Sequence, residues 1–87
     1  MCQKTITIQN AEGLHGRSAT YFIAKANTFN SKIRIEYGNK SANAKSMLGV
    51  LSLAVHKGCT ISIIATGDDE EAAVESLASM LLSISFQ

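Results

Sequence analysis

One histidine in the sequence has neighbours that could support phosphoryl chemistry. The segment Gly13-Leu14-His15-Gly16-Arg17-Ser18 follows a loop and precedes a helical apolar pattern, so His15 is expected at a helix N-terminus. The first amides of a helix lack intrahelical partners, and the helix dipole favours negative charge there. Neutral imidazole is a nucleophile near neutral pH, and the Arg17 guanidinium could bind phosphate oxygens. The pattern therefore fits a phosphohistidine site, although spacing alone favours a histidine that merely caps the helix or is solvated.

Ser46 also has two interpretations. It precedes the apolar run 47–55, as an N-cap residue would, and such a cap stabilises a helix by roughly 1 kcal/mol. A phosphate on its hydroxyl would add about −1.5 to −2 charges at the helix N-terminus, which would make Ser46 a regulatory site. Both roles can hold together. Met47, Leu48 and Leu51 are either core residues or a surface on which a partner docks.

The elements that would position these residues follow from apolar periodicity and turn signals. We expect strands over residues 4–8, 32–37, 40–44 and 60–66, and helices over about 15–27, 47–57 and 68–83. The second helix would end with His56 and Lys57 before a capping Gly58, so that His56 only offsets the helix dipole. Asp68 would cap the third helix, with Glu71 completing a capping box.

The order βαββαβα predicts an α+β fold. Apolar stripes mark one face of each long helix: Ala19, Phe22, Ile23 and Ala26 in the first, and Val74, Leu77, Ala78, Leu81 and Leu82 in the last. These stripes are buried if the helices cover one side of an antiparallel sheet. We therefore expect an open-faced β-sandwich, in which three helices cover one face of a four-stranded antiparallel sheet.

Composition limits the remaining function classes. With 87 residues, residues 1–87 should form a single domain. All eight basic residues precede position 58, but they are scattered, so a nucleic-acid-binding module is a weak alternative and no nucleic-acid partner is expected. Cys2 and Cys59 fit no metal or redox motif, so no metal and no cofactor is expected. No signal-peptide core or membrane span is apparent, which predicts a cytoplasmic protein without a membrane partner.

Together these motifs resemble HPr, the histidine-containing phosphocarrier family of the bacterial phosphoenolpyruvate-dependent sugar phosphotransferase system. The resemblance spans nearly the whole chain and rests on Gly13-Leu14-His15 with Arg17, on residues 45–53, and on the helix start at 66–70. It implies that His15 accepts a phosphoryl group on Nδ1 from Enzyme I and passes it to IIA domains of sugar permeases. Arg17 would bind the phosphate, and the protein would be a monomeric carrier rather than a stand-alone enzyme.

The resemblance also implies docking and regulatory roles. Leu14, Met47, Leu48 and Leu51 would form the apolar docking face for these partners. Ser46 would be the target of an HPr kinase/phosphorylase, and phosphorylation there would weaken Enzyme I docking and favour a catabolite-repression transcription regulator. An alternative is a mainly regulatory HPr paralogue that acts through phospho-Ser46 in carbon catabolite repression.

Two residues depart from the family pattern, which usually reads Gly-Leu-His-Ala-Arg-Pro. Here Gly16 replaces the alanine and Ser18 the proline. Gly16 would cost up to about 1 kcal/mol of helix propensity. Ser18 supplies a backbone N–H and a hydroxyl that proline lacks. We expect a looser first turn with more hydrogen-bond donors, and we expect Ser18→Pro to tighten it.

Overall fold

Four strands and three helices follow one another in the predicted order βαββαβα. The computed structural model describes residues 1–83. Its elements are β1 (Cys2–Thr7), α1 (Gly16–Ala26), β2 (Lys32–Tyr37), β3 (Lys40–Asn43), α2 (Met47–Ser52), β4 (Thr60–Thr66) and α3 (Glu70–Ser83). The strands form one antiparallel sheet with the order β1-β4-β2-β3. The predicted fold class is confirmed. None of the helices within residues 1–83 is long and apolar enough to cross a membrane.

The sheet has one apolar face and one polar face. Ile61 and Ile63, two positions apart in β4, both point into the core, where they pack with Phe22 of α1 and Leu77 of α3. On the opposite face the Thr5 and Ser62 hydroxyls are 3.0 Å apart, and a second hydroxyl pair joins β1 to β4. The period of two along each strand therefore separates the core face from an outer face that is polar except for Ile64 of β4, which is 4% exposed.

The predicted helix stripes are buried with one exception. Ala19, Phe22, Ile23 and Ala26 of α1 are in the core, as are the first four predicted members in α3. Leu82 is 51% exposed, so its assignment to the stripe is wrong. It follows the buried Leu81 directly and lies about 100° further round the helix, away from the sheet.

The second helix is shorter than the sequence predicts. α2 ends at Ser52, Leu53 is its C-cap, and Ala54 has a left-handed φ of 54°. Leu53 and Val55 are both buried, which a continued helix could not achieve, because residues two positions apart point to different sides. The expectation that His56 and Lys57 lie in the last helical turn is therefore wrong.

Gly58 is not a helix cap either. It has a φ of 92°, and its N–H donates to the carbonyl oxygen of Ile8 at 2.8 Å. Cys59 accepts the N–H of Ile8 on its carbonyl oxygen, also at 2.8 Å. These bonds extend the pairing of β1 and β4 beyond the last strand residue, so the segment before β4 is held against the segment after β1.

The start of α3 uses different carboxylates from the predicted pair. The Asp69 carboxylate accepts the N–H groups of Asn30 and Ser31 and the Ser31 hydroxyl, which fastens the loop before β2. Glu70 Oε1 accepts the Gly67 N–H at 3.1 Å. The predicted roles of Asp68 and Glu71 are therefore wrong; both side chains are exposed.

Asp69→Asn tests how much the fold depends on this loop contact. The donors, above all the Ser31 hydroxyl and then the Asn30 N–H, hold the pKa of Asp69 below its usual 3.8. Its stabilising contribution is therefore complete above about pH 4 and is lost as the pH falls through the lower native pKa. In urea unfolding at pH 7, Asp69→Asn should be less stable than the wild type, and the gap should narrow below pH 4.

The exposed neighbour provides the control for this prediction. Asp68→Asn should unfold within error of the wild type at both pH values. A stability gap between Asp69→Asn and the wild type that does not change with pH would contradict a role for the charged carboxylate.

Candidate functional site

His15 is the N-cap residue of α1. Its backbone is extended, with φ −138° and ψ 165°, and its side chain is half-buried. Nε2 is buried and has no hydrogen-bond partner in residues 1–83. The ring faces the Ser18 amide in the manner of a capping box without completing a hydrogen bond of ordinary geometry.

The surroundings of His15 suit an anion. Arg17 is exposed in the first turn of α1, and that turn contains no acidic residue. The helix dipole and the first amides of α1 add positive potential at the same point. His15 and Arg17 thus both lie at the N-terminus of α1, His15 as the N-cap and Arg17 in the first turn.

Ser18 is fully buried and joins three parts of the loop. Its hydroxyl shares its proton between the carbonyl oxygens of Gly13, at 2.6 Å, and His15, at 2.8 Å, and it accepts the His15 N–H at 3.2 Å. Asn10 Nδ2 also donates to the Gly13 oxygen, at 2.7 Å. The hydroxyl donor predicted at Ser18 is thus used within the protein, where it fixes the backbone of Gly13 and of His15.

Gly16 does not carry the cost expected from helix propensity. Its φ is +54°, outside the right-handed helical region, and a Cβ there would lie 3.7 Å from Glu12 Oε1. The space is sufficient for a side chain, but the conformation disfavours one. The predicted cost is wrong because Gly16 is not an ordinary right-handed helical residue, and glycine is the residue best suited to its left-handed conformation.

Leu14 belongs to the core. It is 0% exposed, and its N–H donates to the Val55 carbonyl oxygen at 3.0 Å. Its predicted role in docking is wrong, because it presents no side-chain surface to a partner. Leu14 instead anchors the loop that carries His15.

His56 lies beside His15. The two ring centroids are 5.3 Å apart and the planes are tilted by 36°. The sequence did not indicate this contact, because it assigned His56 to the end of a helix that stops at Ser52. Because His56 lies in a loop and its neighbour is 41 positions away in the sequence, apolar periodicity gives no sign of the contact.

Ser46 is the N-cap of α2, as predicted. Its Oγ accepts the Gly49 N–H at 3.2 Å. Met47, Leu48 and Leu51 are 40%, 82% and 38% exposed, so of the two interpretations they form a surface patch rather than core. α2 packs on α1, which places this patch and the His15 site on neighbouring elements.

No metal site accompanies these residues. Within residues 1–83, no group of three or more histidine, cysteine, aspartate or glutamate side chains could hold an ion. Cys2 and Cys59 are both free and half-buried.

A small open-faced β-sandwich with a histidine at a helix N-terminus defines the structural class. A model of the family described as "PTS HPr component phosphorylation site" matches residues 2–83. The chain belongs to the HPr family of the phosphotransferase system.

Individual relatives agree with this assignment. The HPr-like protein Crh of Halalkalibacterium halodurans is 41% identical over 81 residues, which cover 93% of this chain and 96% of that protein. The crystal structure of HPr from Thermoanaerobacter tengcongensis superimposes with a TM-score of 0.94 at 43% identity, covering 95% of this chain and 93% of that one. Crh of Bacillus subtilis, described as an intertwined dimer with a swapped domain, matches with a TM-score of 0.77 at 38% identity over 100% of both chains.

Removing the Ser18 hydroxyl tests its role in this loop. Ser18→Ala should lower the free energy of unfolding by about 1–2 kcal/mol, because it removes three hydrogen bonds of the loop and leaves the His15 N–H without its acceptor. Ser18→Pro removes the same hydroxyl, and its rigid φ returns only about 0.4–1 kcal/mol. We therefore now expect Ser18→Pro to be destabilised, not tightened. Urea unfolding measures both effects.

An exposed hydroxyl of the same helix serves as the control. Thr20 Oγ1 donates to the Gly16 carbonyl oxygen at 3.0 Å in contact with solvent, so Thr20→Ala should change stability by less than about 0.5 kcal/mol. Equal losses in Ser18→Ala and Thr20→Ala would contradict a special role for the buried hydroxyl.

Proposed function

We propose that the protein is a phosphocarrier of the phosphoenolpyruvate-dependent sugar phosphotransferase system. His15 Nδ1 attacks the phosphoryl group of phosphorylated Enzyme I with its lone pair, the bond between phosphorus and the donor breaks, and the donor keeps the electron pair. In the second transfer a nucleophile of a IIA domain attacks the phosphorus atom, the bond between phosphorus and Nδ1 breaks, and Nδ1 keeps the electron pair. The observation that carries this proposal is the half-buried His15 at the start of α1, with Nε2 enclosed.

The local charge supports acceptance of a phosphoryl group. A phosphoryl group on Nδ1 would lie at the positive end of the dipole of an 11-residue helix, α1. Arg17 lies in the first turn of the same helix, and we assign its planar guanidinium to binding the phosphate oxygens. These contributions stabilise the charged intermediate without requiring a cofactor.

The apolar patch of α2 supports docking of protein partners. Met47, Leu48 and Leu51 are exposed beside α1, and large exposed apolar side chains in one cluster are typical of interaction surfaces. We assign this patch to contacts with Enzyme I and the IIA domains. Such partners imply that the carrier works in the cytoplasm.

Regulation through Ser46 is the second candidate function. Ser46 caps α2 directly beside Met47 and Leu48, so a phosphate there would put charge at the edge of the docking patch. An HPr kinase/phosphorylase would carry out this modification, and a catabolite-repression transcription regulator would recognise the product. The relatives named Crh favour this function as the alternative to phosphoryl carriage.

A monomer is the form we propose for the carrier. β1 pairs with β4 of its own chain along six residue pairs, and Leu14 and Val55 of one chain meet in the core. The B. subtilis relative, by contrast, is described as a dimer with a swapped domain.

Phosphorylation of His15 tests the carrier function. Incubation with phosphoenolpyruvate and Enzyme I should give an acid-labile phosphate that is absent in His15→Ala. Arg17→Ala should slow labelling by roughly 10- to 100-fold, because it removes a charge-assisted contact to phosphate. Arg34→Ala, on the open face of the sheet, is the matched control and should label at the wild-type rate. Label that persists in His15→Ala would overturn the proposal.

Phosphorylation of Ser46 tests the regulatory function. HPr kinase and ATP should label the wild type and not Ser46→Ala, and the phosphorylated protein should accept phosphate from Enzyme I at least tenfold more slowly. Ser52→Ala, at the other end of α2, controls for general effects on this helix. Efficient labelling of Ser46 together with very slow labelling of His15 would favour the regulatory paralogue over the carrier.

A further inference from the structure

The contact between His15 and His56 has no part in the function proposed so far. A centroid distance of 5.3 Å with a tilt of 36° lies within the range in which aromatic rings attract one another. We propose that His56 is a positioning residue for His15: its ring restrains the His15 imidazole in the orientation that encloses Nε2 and leaves Nδ1 at the start of α1. This inference rests on the proposed role of His15 as phosphoryl acceptor.

The backbone under His56 is fixed firmly enough for this role. A Cβ on Gly13 would come within 2.8 Å of the His56 Cα, so the two backbones are in close contact. The His56 N–H donates to Cys59 Sγ at 3.4 Å, and the His56 carbonyl oxygen accepts the Cys59 N–H at 3.1 Å. Val55, immediately before it, is 0% exposed. His56 therefore projects its side chain from an anchored turn.

The turn adopts an unfavourable backbone conformation to reach this position. Ala54 is the one non-glycine residue with positive φ in the described part of the chain, at 54°. Such a conformation persists only where surrounding contacts enforce it, and it is enriched near functional sites. Here it redirects the chain after α2, so that Val55 enters the core and His56 meets His15.

Restraint of the imidazole would matter for the rate of transfer. A ring that is free to rotate presents Nδ1 to the incoming phosphoryl group only part of the time. A reacting group already held in its productive geometry avoids that loss. An aromatic contact of this kind corresponds to roughly a 3- to 10-fold population difference. His56 touches the reacting ring, but it acts through His15 rather than on the phosphoryl group.

Three variants of the full chain separate this role from others. His56→Ala removes the ring, His56→Phe keeps an aromatic ring without charge or hydrogen bonding, and Lys57→Ala alters the exposed next residue as a control. Each is examined in two ways: by the NMR resonances of the His15 ring in the unphosphorylated protein, and by the initial rate of Enzyme I-dependent labelling.

We expect His56→Ala to shift the His15 ring resonances and to slow labelling by roughly 3- to 10-fold. His56→Phe should restore the rate to within about twofold of the wild type, and Lys57→Ala should match the wild type in both measurements. Unchanged resonances and rate in His56→Ala would overturn the inference. So would a loss that His56→Phe fails to repair, because the role would then belong to the charge or N–H of the imidazole.

The two readouts keep this inference distinct from the function on which it rests. The NMR measurement needs no phosphoryl transfer. If the wild type were not labelled at all, the carrier function would fail, while the His15 resonances of His56→Ala would still decide whether the two rings are in contact.

Discussion

Leu14 donates its N–H to the Val55 carbonyl oxygen at 3.0 Å, and both side chains are fully buried. Beside this bond, a Cβ on Gly13 would lie 2.4 Å from the same oxygen, so only glycine permits the approach. This contact fixes the loop before α1 against the loop before β4. The start of α1, the exposure of the His15 ring and the position of His56 all depend on it.

Backbone conformations on both sides of this contact adapt to it. Ala54 is left-handed at a cost of about 1–2 kcal/mol, which the burial of Leu53 and Val55 more than offsets. Gly16 is left-handed as well, without that cost. His15 and His56 thus lie in loops next to helix ends, and the buried neighbours Leu14 and Val55 hold these loops in place.

Local sequence signals predicted the parts of the site that depend on short-range order. Ser46 was recognised as a cap because a cap bonds an amide only three residues further on, β2 because its alternation is regular, and β4 because it is rich in β-branched apolar residues. Leu14 and His56 were misassigned for a common reason. The family resemblance assigned Leu14 to docking and helix-end signals assigned His56 to a helix, but the burial of Leu14 and the neighbour of His56 depend on a contact between distant segments.

The same contact bears on when the site exists during folding. The segments that carry His15 and His56 are separated in the chain by α1, β2, β3 and α2. Contacts between residues so far apart in sequence are slow to form and are absent from partly folded chains. A nascent or damaged chain would therefore display a histidine without its surroundings. Any partner that requires the complete arrangement would distinguish finished molecules from unfinished ones.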